Sequence, residues 1–273
     1  MESGWEINIF QILKQSTKSS SALQLGSKNT DSFIDDLMFV KELLEDTENT
    51  ACHHLYEEIK YPLKPFYELF SKNLYRFFVN GCVNQSEDNI NLGLNIKNHL
   101  FKQSTLAIIQ KITEDKKTED GKLDLTAMEN LLFDLRKSDV LVLLGIGRTE
   151  GSLDVLPPDL SLLLESFGLL HHPKSKLTVG ARALTKHCHR SSEQFWGLCT
   201  GTESKKNEHS MKILFEILKD CHWINIHTLP HHTFVLELRT CAGYGLRWSH
   251  DGKIFRGFLE PQMENGHEVG WRH

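Results

Sequence analysis

Between residues 186 and 190 the chain reads Lys-His-Cys-His-Arg, two imidazoles one residue apart with a cation on either side. Imidazole exchanges its proton near neutral pH, so His187 and His189 are candidates for general acid–base chemistry. On an extended strand the two rings fall on one side, near enough to share a metal ion, with His227, His231, His232 and Cys241 as further candidate ligands. Neither H-E-x-x-H nor a paired C-x-x-C is present, so no metal ligand is assigned and the cofactor is left unknown. A cationic reading serves the same five residues at least as well, because Lys186 and Arg190 flank two groups that can donate protons or hydrogen bonds to an anion.

Arginines recur downstream. Thr233–Thr240 reads TFVLELRT, a clean alternation that turns Phe234, Leu236 and Leu238 one way and Val235, Glu237 and Arg239 the other. The same parity puts Arg247, Arg256 and Glu260 on polar faces of neighbouring strands. A guanidinium matches phosphate or carboxylate through paired charge-assisted hydrogen bonds, so Arg239, Arg247 and Arg256 form a candidate anion clamp. In a catalytic reading His187, His189 or His227 moves the proton, Glu237 acts as base or orients the base, and the arginines stabilise developing negative charge. The plain alternative is a set of cross-strand ion pairs on a solvated face. Thr202 precedes a helix whose first turn carries Lys205 and Lys206. Free backbone N–H groups there suit a phosphate, although a simply capped helix has the same look and the P-loop spacing is absent. Trp196, Trp223, Tyr244 and Trp248 are candidates for stacking on bases of a single-stranded nucleic acid.

The elements that must position these groups are legible in part. Residues 203–220 are a helix with Met211, Leu214, Phe215, Ile217 and Leu218 on its apolar side. Strands follow over Trp223–Leu229, Thr233–Thr240, Leu246–Ser249 and Ile254–Glu260, and the Asp251-Gly252 pair marks a hairpin turn. Thr178–His189 reads as a short strand or the start of a helix. Upstream, helical spacing covers the segment from Asp31 through Leu44, residues 49–60, an aromatic stripe from Phe66 to Phe78, residues 94–112 and 125–137, and a short helix at 159–167. Val140–Leu144 followed by Gly145-x-Gly147 could be a buried strand opening a phosphate-binding turn, but its third glycine is one residue late and no βαβ alternation surrounds it. The fold expected is α+β, a helical N-terminal half packed on a C-terminal helix plus small antiparallel sheet. Its regions are a flexible leader over 1–30, a mainly helical region over 31–170, and a histidine-, tryptophan- and arginine-rich region over 171–273 continuous with it.

Charge is divided between these regions. Residues 171–273 hold 14 Lys and Arg against 10 Asp and Glu, whereas residues 1–170 hold 17 against 26, so only the C-terminal part suits a polyanion. That part also carries 12 of the 15 histidines and 4 of the 5 tryptophans, which locates any specialised chemistry there. The opening MESGWEINIF has no secretory pattern and no run approaches a membrane span, so the protein is read as cytoplasmic or nuclear, with no membrane partner and its cysteines as reduced core filler. Three functions remain open. The first is an anion-handling C-terminal site for a phosphate-bearing small molecule or nucleic acid, with or without the catalysis described above. The second is a protein-interaction or adaptor role through the helical half. The third is a metal-dependent hydrolase that uses the histidine cluster.

Overall fold

A computed structural model describes residues 2–19, 31–46, 58–80, 101–115, 125–189 and 195–261. The chain forms two compact units. One comprises Met1–Thr50, Pro62–Arg148 and Asp154–Leu156, and the other Ala51–Tyr61, Thr149–Leu153 and Pro157–His273. Among the described residues the first unit is helical and the second is α+β, which is the fold class read from the sequence.

The first unit contains α1 (Glu2–Ser19), α2 (Leu37–Leu44), α3 (Phe66–Asn80), α4 (Gln103–Asp115), α5 (Leu125–Asp134) and α6 (Lys137–Leu143). A helix over Glu2–Ser19 takes up the first part of the expected flexible leader, whose remainder, residues 20–30, lies outside the described residues; Ile9 and Leu13, four residues apart, are fully buried and anchor the helix. Asp36 caps α2, its Oδ1 accepting from the backbone N–H of Met38 and Phe39 at 3.0 Å each. The aromatic stripe of α3 is core, with Phe66, Phe70, Leu74 and Phe77 buried and Phe70 edge-on to Phe33. The candidate strand at Val140–Leu144 belongs to helix α6 and its end. Asp139 Oδ2 accepts from the Arg136 backbone N–H at 2.7 Å and starts the helix, and Val140, Leu141, Val142 and Leu143 are all buried. An apolar run has no polar face to reveal its period, so strand and buried helix look alike in sequence. Gly145 then adopts φ +85°, and Ile146 N–H reaches back to Leu141 O at 2.9 Å. The glycine ends a helix and opens no phosphate-binding turn. The expected helix at 49–60, apart from its last three residues, which are not helical, and the first part of that at 94–112 lie outside the described residues.

In the second unit the segment 149–153 lies on the outer edge of the sheet, beside its first strand. The chain then runs through α7 (Leu160–Gly168), α8 (Val179–His187) and α9 (Glu203–Lys219) into β1 (Cys221–Leu229), β2 (Thr233–Thr240), β3 (Gly245–Ser249) and β4 (Phe255–Leu259). The strands form an antiparallel meander in the order β1-β2-β3-β4. Alternation decides its two faces. Ile224, Ile226, Leu236, Leu238, Leu246 and Trp248 are buried on the side packed by the helices, where α9 meets β2 and β3 while α7 and α8 meet β4. Asn225, His227, Glu237, Arg239 and Arg247 share the opposite face, with Asn225 across from Glu237 and Glu237 across from Arg247. Between β3 and β4 the pairing skips Arg256, an extra residue that bulges the edge strand. Cys199 and Cys221 are buried free thiols, and burial pushes Cys221 up to about 12.

α7 and α8 meet at Gly180. A Cβ built there would lie 2.2 Å from the Phe167 ring, itself wedged edge-on between Phe255 and Phe258 and fully buried. The expected outcome of Gly180→Ala is a loss of about 1–3 kcal/mol in spite of alanine's better helix propensity, because the ring has nowhere to retreat. Urea unfolding of the variant beside the wild type measures it.

Candidate functional site

α8 is the element whose reading changes the site. Thr178 caps it, its Oγ1 accepting from the Ala181 N–H at 3.2 Å. Helical spacing then places Val179, Arg182, Ala183, Lys186 and His187 on one stripe. That stripe forms one wall of a cavity of about 980 Å³, whose remaining lining includes His171, Leu229, Arg247, Arg256, Gly257, Phe258, Leu259 and Glu260. The bulge at Arg256 aims that side chain outward into the opening. Four cations therefore line a concave surface against one carboxylate, and an anion gains from all four at once.

His187 is buried, 8% exposed, at the end of α8. Its Nε2 lies 2.8 Å from Glu260 Oε1, the oxygen that also accepts from the Trp196 indole N–H at 2.7 Å. The Trp196 ring stands edge-on to the imidazole at 5.1 Å, and Phe258 lies beyond at 6.0 Å. Glu260 Oε1 thus stands between the indole N–H that it accepts from and the imidazole, which it meets as a close contact that is an ion pair when the ring is protonated.

A second cluster lies on the polar face of the sheet. Glu237, 3% exposed, accepts from Arg247 Nε at 2.6 Å and also contacts Arg247 Nη2; Arg239 Nε is 3.5 Å away and His227 Nε2 3.7 Å. Burial pushes its carboxyl upward, but His227 and the guanidiniums of Arg247 and Arg239 outweigh this and hold it at about 2. Arg239 also donates from Nη1 to the carbonyls of Gly243 at 2.7 Å and Glu260 at 3.0 Å, and its burial lowers its own value. Glu237 therefore grips Arg247, which lines the cavity, and Arg239, which fixes the backbone of Glu260. A carboxylate so acidic is a poor proton acceptor near neutrality and a good anchor for arginines.

The structure brings His187, Arg247 and Arg256 together at the cavity, with Glu237, Arg239 and His227 beneath or beside Arg247 on the same sheet face. It leaves His189, Thr202 and Lys205 out. α8 ends at His187, so His189 does not share a strand side with it and is exposed after the C-cap Cys188. Thr202 Oγ1 accepts from Lys205 N–H at 3.4 Å as an ordinary N-cap, and both residues are exposed away from the cavity lining. His231 and His232 lie exposed in the β1–β2 turn, and among the described residues no three His, Cys, Asp or Glu side chains group to hold a metal. Base stacking by Trp196, Tyr244 and Trp248 is ruled out by burial, since each is core. Arg182 and His171 were missed, and Glu260 was noted only as a polar-face residue. The signal for Arg182 was the 3–4 spacing in TVGARALTKHCH, visible once that segment is taken as a helix.

Among known proteins, residues 170–260 match the family described as the CdiA C-terminal tRNase toxin domain. The crystal structure of the toxic C-terminal tip of CdiA from Pseudomonas aeruginosa, in complex with its immune protein, is similar at 31% identity over 35% of this chain and 99% of that one, with a TM-score of 0.31. A comparison with curated proteins found no match.

Loss of the Glu237 charge has a definite acid signature. Its folded value lies below the ordinary value of 4.5, so its stabilisation is complete above that value and is lost as pH falls toward about 2. The expected contribution is about 3 kcal/mol. Unfolding free energy measured by urea between neutrality and the acid range should fall steeply in the wild type. In Glu237→Gln it should start lower and fall less.

Proposed function

We propose, taking the likeness of residues 170–260 to the CdiA C-terminal tRNase toxin domain as premise, that this segment cleaves RNA in the cavity between α8 and the β3–β4 edge. The observation that carries the reading is the meeting of a carboxylate-held imidazole with four cations on one concave surface. RNA supplies its own nucleophile, the 2′-hydroxyl. The imidazole of His187, oriented by Glu260, accepts the 2′ proton, the 2′-oxygen bonds to phosphorus, and the bond from phosphorus to the 5′-oxygen breaks. The departing 5′-oxygen takes a proton from cavity water, and the imidazolium returns its proton to the resulting hydroxide. Arg247 and Arg256 face the phosphate as its charge grows, and Glu237 keeps Arg247 aimed. The products are a 2′,3′-cyclic phosphate and a 5′-hydroxyl. Transfer RNA is the substrate class to try first, because the family is described by it.

A docking role for the helical unit has separate support in apolar side chains left in solvent, Met38 at 80% and Phe133 at 48% exposure. Among the described residues no helix is long and apolar enough to cross a membrane.

Incubation of the purified protein with transfer RNA, followed by analysis of the new ends, tests the main reading. His187→Ala is expected to lower the cleavage rate at least about 100-fold while RNA binding changes little. Arg256→Ala should instead weaken binding and reduce its salt dependence by about one counterion. Cleavage that leaves 3′-hydroxyl ends, or that survives His187→Ala undiminished, overturns the mechanism.

A further inference from the structure

The rim of the cavity contains a contact whose protons can be assigned from chemistry alone. His171 Nδ1 lies 3.1 Å from the Leu177 carbonyl oxygen, which can only accept. Its Nε2 lies 2.9 Å from Arg182 Nη1, which can only donate. A single imidazole satisfies both partners only when it is neutral, with its hydrogen on Nδ1. Arg182 is exposed on the cavity stripe of α8, and a neutral ring holds it in place. Protonation of that ring would set a second N–H against the guanidinium, removing the acceptor and adding a like charge.

The surroundings offer little to offset such a charge. His172, Lys174 and Lys176 belong to the same loop, Lys186 and His187 to α8, Arg247 to β3 and Arg256 to β4. Glu260 on the cavity wall is engaged by His187 and Trp196, and Glu203 of α9 accepts from Ser175 Oγ and Lys176 N–H. An anion arriving between the ring and the guanidinium reverses the balance, because both then face an acceptor.

We propose that Arg182 and His171 form a phosphodiester subsite in which a phosphate oxygen replaces the imidazole as the acceptor for Arg182. His171 takes one proton from solvent and becomes a donor to the same phosphate. Lys186, one turn along α8 at a rise of about 6 Å, extends the cationic track. The subsite rests on the RNA-cleavage reading and adds to it that binding takes up a proton, so affinity rises as pH falls.

The test is fluorescence anisotropy of the full chain with a short 2′-O-methyl RNA, which binds without being cleaved, from about pH 8 to about pH 5.5 at constant ionic strength. His171→Asn keeps a donor for the Leu177 carbonyl but cannot titrate. Its slope of log affinity against pH should be shallower than the wild type's by up to one proton, a gain up to about tenfold smaller per pH unit. Arg182→Gln, an exposed substitution that leaves folding alone, should weaken binding about five- to tenfold, whereas Lys212→Gln on α9 should leave it unchanged. Equal slopes in wild type and His171→Asn, or unchanged affinity in Arg182→Gln, overturn the subsite while RNA binding still stands. A wild type that binds no RNA at any pH overturns both readings together.

Discussion

Glu237 sits in the middle of the sheet with almost no access to water, and two guanidiniums depend on it. A charge buried in this way is costly unless it is closely paired, and removing one member of such a set leaves the others uncompensated. Here Arg247 reaches it at 2.6 Å, Arg239 approaches at 3.5 Å, and His227 completes the ring of positive or polar neighbours at 3.7 Å. The arrangement has a geometric consequence. Arg247 lines the cavity because its inner end is tethered, and Glu260 meets His187 from a backbone that Arg239 holds by its carbonyl. A carboxylate that stays charged near neutrality thus sets the positions of Arg247 on the cavity wall and of Glu260 beside His187.

Packing on the opposite face makes the other wall. Phe167, Phe255 and Phe258 meet edge to face, and the missing side chain at Gly180 lets α8 lie against Phe167. α8 buries Ala181 and Leu184 inward, and the same turn geometry sends Arg182 and Lys186 outward to the cavity. Apolar contact and cationic display are two faces of one helix, which is why a small shift of this helix would alter the charge pattern on the cavity wall. The likeness of residues 170–260 to a tRNase toxin domain falls on the segment that contains both walls.

Much of this unit was legible before any coordinates. Thr233–Thr240 alternates so regularly that β2 and its two faces follow from a period of two, whereas the order of the strands, and with it the opposition of Glu237 to Arg247, does not. α9 was equally plain, although its cap could be Thr202 or Ser204 until the structure placed it at Thr202. Two segments stayed open in sequence because of local ambiguity. Val140–Leu144 is apolar throughout, and a run without polar residues carries no period, so burial on all sides could mean strand or helix. Thr178–His189 mixes a β-branched start with helix formers, and taken as a strand it paired His187 with His189. As a helix it separates them and pairs His187 with Lys186, Ala183 and Arg182.

The chain's own order of residues determined the alternating strands, the capped helix, the segregation of positive charge into the last hundred residues and the arginines on polar faces, because each follows from rules acting over a few neighbouring positions. Tertiary structure alone decided that Glu260 meets His187, that Arg239 ties the two clusters and that His171 faces Arg182. Those partners lie 73, 21 and 11 positions apart or less directly linked still, and their meeting depends on how helices settle on the sheet. Side-chain contact at such separations is set by the sum of many packing choices, and no local pattern encodes that sum.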